Sequence, residues 1–95
     1  MIRDEVRELV ALGPLPDAAA EEAVIEKHEQ ALAKITPPVS LDEAGALLGC
    51  FGPDDCFGLA WTLVHLIESA PQLPLDSQPE PGANEWLRTL WDRAH

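Results

Sequence analysis

Two cysteines, three histidines and an Asp-Asp pair are the side chains through which this chain could do chemistry. Cys50 and Cys56 each open a Cys-Phe-Gly triplet, at 50–52 and 56–58. Five residues separate them, which is not the C-x-x-C spacing of zinc knuckles or redox sites. Cys56 falls near an expected helix start, where a thiol pKa can drop. Asp54 and Asp55 oppose a thiolate there and the flanks are apolar, so an inert buried thiol is expected. A Cys50–Cys56 bridge is conceivable across the turn, but a reducing compartment leaves both as thiols.

His65 lies between Val64 and Leu66 and reads as a hydrogen-bonded core or groove histidine; His28 is similar and His95 is terminal. A groove holding His65, Thr62 and Glu68 could serve acid–base chemistry or carry a ligand. No H-E-x-x-H, no H-x-E with paired cysteines and no Asp-rich calcium loop occurs. Asp54-Asp55 alone cannot hold a hard cation. Ser40, Ser69 and Ser77 have no G-x-S-x-G around them, and no phosphate-binding glycine loop is present. Nucleophilic catalysis needs a placed base and an oxyanion hole. The expectation is a protein that is not an enzyme, with no catalytic residue, no metal and no cofactor.

Helices must position these groups. Ile2, Val6, Leu9 and Val10 form one stripe of a first helix over 2–12, closed by Gly13 and Pro14. A second helix is expected over 17–35, opened by Asp17 and stopped by Thr36-Pro37-Pro38. Its residues Val24, Ile25, His28, Ala31, Leu32 and Ile35 face inward, with Glu22, Glu26, Glu29 and Lys27 turned the other way. Ser40 and Glu43 read as a capping box opening a third helix over 41–51. Gly45 and Gly49, four apart, could permit a close helix approach. A fourth helix over 54–70, with Pro53 at its start, is apolar nearly all round and is expected to be the central, buried one. Its soft face is Gly58, Thr62, His65 and Ser69. Residues 71–83 hold four prolines and read as an extended strap. A fifth helix over 84–94 turns Trp86, Leu87, Leu90, Trp91 and Ala94 to one side. No period-2 run marks a strand. The fold class is therefore all-α: a compact bundle of about five helices around 54–70, in one domain over 1–95.

Composition permits that core. The chain has 95 residues, 46% of them hydrophobic, the size of one domain. No apolar run reaches the roughly 18 residues of a membrane span. MIRDEVREL lacks the apolar stretch of a secretory signal, so a cytoplasmic location is expected.

Charge is the strongest bias. Seventeen acids stand against six Lys and Arg, a formal net charge of −11. That argues against direct nucleic-acid binding and against an anionic membrane surface. Every basic residue lies at 3, 7, 27, 34, 88 or 93. From Ile35 to Leu87 there is none, and the window holds Asp42, Glu43, Asp54, Asp55, Glu68, Asp76, Glu80 and Glu85. Taken singly, acids in first helical turns serve capping and solubility. Taken together, a one-signed field costs self-repulsion and speeds encounter with a basic partner. Asp42, Glu43, Asp54, Asp55, Glu68, Asp76 and Glu80 are the candidate partner-binding acids, with Trp86 as a candidate aromatic anchor. Trp61 is expected in the core. Trp86 and Trp91 are five apart, about 140° around a helix, so one can cover the core while the other is partly exposed. Alternatively both cover it.

The segment FGPDDCFGLAWTLVHLIESAP (51–71) resembles small acidic bacterial helical proteins of the immunity, or antitoxin, type. The resemblance spans about a fifth of the chain and carries over no functional residues. It implies an inhibitor that occludes a basic toxin or effector domain. Two other readings stand beside it. One is a structural or adaptor module, whose homodimeric form would be joined through apolar faces of the first and fifth helices. The other is a small enzyme or ligand carrier using the groove along 54–70.

Overall fold

The structure is a computed structural model describing residues 2–95. Among the described residues it is all-helical, with no strand. The helices are α1 (Asp4–Leu12), α2 (Glu22–Ala33), α3 (Leu41–Leu47), α4 (Leu59–Glu68) and α5 (Glu85–Ala94). Short 3₁₀ turns, Leu48–Cys50 and Cys56–Gly58, follow α3 and precede α4. α1 packs on α2 and α3, and α4 packs on α3, α5 and α2. The molecule measures 35 × 30 × 18 Å. Its short dimension is about two helix diameters.

Each helix turns one side inward. Val6 and Leu9 of α1, Ala31 and Leu32 of α2, Ala44 and Leu47 of α3, and Leu90 of α5 share one core cluster with α4. α4 itself buries Leu59, Ala60, Leu63, Val64, Leu66 and Ile67. It is central but not buried all round. Trp61, Thr62, His65 and Glu68 remain exposed, because a slab two helices deep leaves every helix one face on water. The expected core position of Trp61 is thus overturned: 39% of it is exposed.

Where the cap is local, the expected boundary holds. The Ser40 hydroxyl accepts from Glu43 N–H at 3.1 Å, and a Glu43 oxygen accepts from Ser40 N–H at 2.9 Å. Asn84 caps α5, its side-chain oxygen accepting from Trp86 N–H at 2.9 Å. Where a distant group competes, the boundary moves. α2 starts at Glu22, not at 17, because Asp17 closes its own turn on Ala19 and the Asp54 carboxylate takes Ala18 N–H at 3.0 Å. α3 gives way to the 3₁₀ turn at Leu48 rather than running to 51. α4 starts at Leu59 rather than 54, since Cys56 (φ 45°), Phe57 (φ 56°) and Gly58 (φ 90°) all lie at positive φ. Two non-glycine residues in that region cost of order 1–3 kcal/mol each.

The close backbone approach is not at Gly45 or Gly49, around which there is open space. It is at Gly52. A Cβ there would overlap the Leu15 carbonyl, where the 13–16 connector is laid down by the Leu15 N–H to Cys50 carbonyl bond of 2.8 Å. The strap is non-helical, as its prolines require, and packs Leu73 and Leu75 part-buried against the core.

Candidate functional site

The acids of the 35–87 window do different jobs, and tertiary contacts decide which. Glu43 was a candidate for partner binding; it is 3% exposed and serves the fold. Beyond its cap, it accepts from the Arg3 backbone N–H at 3.0 Å and from Arg3 Nε at 2.8 Å. These hydrogen bonds from Arg3, opposed by burial and aided by Ser40 N–H, hold the Glu43 carboxyl down at about 2. Arg3 is held in turn by the Thr36 carbonyl at 3.0 Å. The contact pins the start of α1 to the start of α3.

Glu68 is also engaged, paired to Arg93 at 2.7 and 3.0 Å at the exposed α4–α5 edge. The same guanidinium lies 5.7 Å from the centroid of the Trp61 ring. Asp54 accepts two backbone N–H groups, from Ala18 and Cys56, and so ties the α1–α2 connector to the turn before α4. Asp42, Asp55, Asp76 and Glu80 are exposed. Asp76 and Glu80 border a surface depression of about 600 Å³ formed by the strap and Leu87.

Trp86 is no surface anchor. It is 7% exposed, stacked on Phe51 at 6.1 Å between centroids and edge-on to Trp61 at 5.2 Å. Its Nε1 has no hydrogen-bond partner among the described residues. Trp91 is half-buried and stacks on His95 at 3.9 Å. The apolar face of α5 is consumed by the core, and on α1 only Val10 and Leu12 remain exposed.

The cysteines are buried free thiols. Burial pushes Cys50 up to about 11. Cys56 is raised by burial, then by Asp54, Asp55 and Asp17 around it. Neither is poised as a nucleophile. His65 and Thr62 line a shallow groove of about 330 Å³ with Leu32, Ile35 and Pro37, but Glu68 turns away to Arg93. His28 is 4% exposed, its Nδ1 has no partner among the described residues, and burial lowers its pKa. Among the described residues no three His, Cys, Asp or Glu side chains converge as metal ligands.

A surface outside the window proves the more organised. α2 separates its charges by flank. Lys27 and Lys34 join Glu8, Leu12 and Gln30 on the α1 side, with Lys34 Nζ 3.8 Å from Glu8. Lys27 is therefore not on the face of the glutamates, as expected from sequence. Glu22, Glu26 and Glu29 line a groove of about 510 Å³ on the α4 side, floored by Ile25, Leu59 and the exposed Phe57 ring. A signal for this was present: acids at i, i+4 and i+7 with no Lys or Arg three or four residues away. Such like-charge spacings cost a few tenths of a kcal/mol each.

The chain matches no protein-family model, no curated protein and no solved structure. No helix of the described residues is long and apolar enough to cross a membrane.

Proposed function

We propose that this chain is a protein-binding module that captures a basic protein partner, in the manner of an immunity protein or antitoxin occluding a basic toxin or effector. The observation that carries the reading is the charge left after folding. Arg3, Lys34 and Arg93 are drawn into ion pairs with Glu43, Glu8 and Glu68. Each pair is neutral, so the excess of −11 falls on the side chains outside these pairs, where acids far outnumber Lys and Arg. Within the window these include Asp55, Asp76 and Glu80, all exposed. Acids of this kind would pair with the Lys and Arg that hold a toxin's own substrate. A one-signed field steers association toward about 10⁸–10⁹ M⁻¹s⁻¹ at low salt.

The test is capture of partners from the source cells on immobilised protein at low ionic strength. The expected result is retention of a protein of high isoelectric point, released as salt shortens the Debye length. Retention only of neutral or acidic proteins, or release indifferent to salt, would overturn the reading.

A further inference from the structure

In the groove between α2 and the turn before α4, exposed apolar surface and unneutralised charge coincide. Phe57 is 74% exposed, the most exposed large hydrophobic among the described residues. Within the Cys56–Gly58 turn, Phe57 has left-handed backbone angles (φ 56°, ψ 33°) and so falls out of the helical path into α4. Relaxing Phe57 to negative φ would relieve strain but alter the start of α4. Around the ring lie Ile25 and Leu59, and along the rim Glu22, Glu26 and Glu29. None of the three rim glutamates pairs with a described residue, and no cation lines the groove. Next to Phe57 in the chain, Cys56 feels the negative charges of Asp54, Asp55 and Asp17.

We propose that this groove is a docking site for a basic amphipathic helix of a partner protein, which lays an apolar side chain on Phe57 and pairs its cations with Glu22, Glu26 and Glu29. The rim acids recur at i, i+4 and i+7, so they span about 10 Å of α2. Lys or Arg at the same spacing on a partner helix meets them in register, the helix-in-groove mode of recognition. Charge complementarity selects this occupant over others. A second copy of the chain brings another −11 to the same face, and nucleic acid brings phosphates. The inference rests on the proposed reading of a basic partner and adds to it the place and the shape of what binds.

The probe is a labelled synthetic helix of about 18 residues with Lys at i, i+4 and i+7 beside a Leu stripe, followed by anisotropy and by amide chemical-shift mapping on the full chain. Binding is expected to shift amides of α2 and of residues 55–59. E22Q/E26Q/E29Q is expected to weaken binding at least tenfold. D4N/E5Q/D92N removes the same charge from acids of α1 and α5 that do not line the groove and should weaken it less than twofold. Phe57→Asn, which keeps a residue tolerant of positive φ, should weaken binding about fivefold with an unchanged circular-dichroism spectrum. Equal losses in the two triple variants, or shifts confined to other surfaces, would overturn the groove. If the groove triple variant still captures the basic partner from cells as wild type does, the groove falls and the general reading stands. If neither peptide nor any basic cellular protein binds wild type, both fall.

Discussion

Two sets of acids on this protein look alike in sequence and behave differently in space. Glu43 and Glu68 sit in a cation-free stretch, yet each is met by an arginine from a chain end. Glu22, Glu26 and Glu29 sit five residues or fewer from Lys27, yet they line a groove without a cation. Linear charge density therefore misplaces the unneutralised surface. Helix phase and long-range ion pairs decide it, because a charge is neutralised by what lies within a few ångströms, not by its neighbours in sequence.

Four experiments would break or sharpen that contrast. The largest effect is expected at the buried pair. Arg3→Met should lower stability more than any other change here, since it strips the buried Glu43 carboxylate of its cation; the midpoint of urea unfolding measures this. In an E43Q background the same change should cost much less, and an equal cost would show that Arg3 acts through packing alone. The pH dependence has a fixed sign. The Glu43 pKa lies at about 2 in the folded protein, below its unfolded value. Its contribution is thus complete above pH ~4.5 and is lost as pH falls toward 2. Arg3→Met should flatten that acid limb.

His28, on the inner side of α2, comes next. Burial lowers its pKa, so it opposes folding as pH falls below its unfolded value near 6.5. His28→Leu should stabilise by about 1 kcal/mol near neutrality by removing an unpartnered polar atom. The gain should grow at pH 5.5 as the wild type meets the cost of protonation. At the exposed α4–α5 edge, Arg93→Gln should cost less than about 1 kcal/mol and lose its effect in high salt. The smallest effect belongs to the groove. Glu26→Gln should raise stability by about 0.3 kcal/mol through relief of like-charge spacing. A loss instead would mean that Glu26 has a partner in the fold, and the contrast with Glu43 would disappear.

The capping box at Ser40 and Glu43 was legible because both partners lie within four residues. So were the helix-ending prolines and the inward stripes of Val6 and Leu9, or Leu63 and Ile67. The site was less so. Glu22, Glu26 and Glu29 were visible as one face, but Lys27, 100° from the nearest of them around the helix, was assigned to it too. Trp61 read as core because its neighbours are apolar, while the slab geometry puts it at the edge. Phe57 read as part of the buried fourth helix, yet it is 74% exposed, since a positive φ at a non-glycine residue is imposed by surrounding contacts.

By itself, the sequence determined an all-helical chain with a large acidic excess and the apolar stripes that close its core. These follow from composition and from periodicities shorter than one helical turn or two. The tertiary structure decided which acids are spent on Arg3 and Arg93, how far α2 and α4 extend, and which aromatic ring faces water. Those outcomes turn on groups 25 to 40 residues apart. Their pairing strength depends on distance and burial, and only the closed fold sets either.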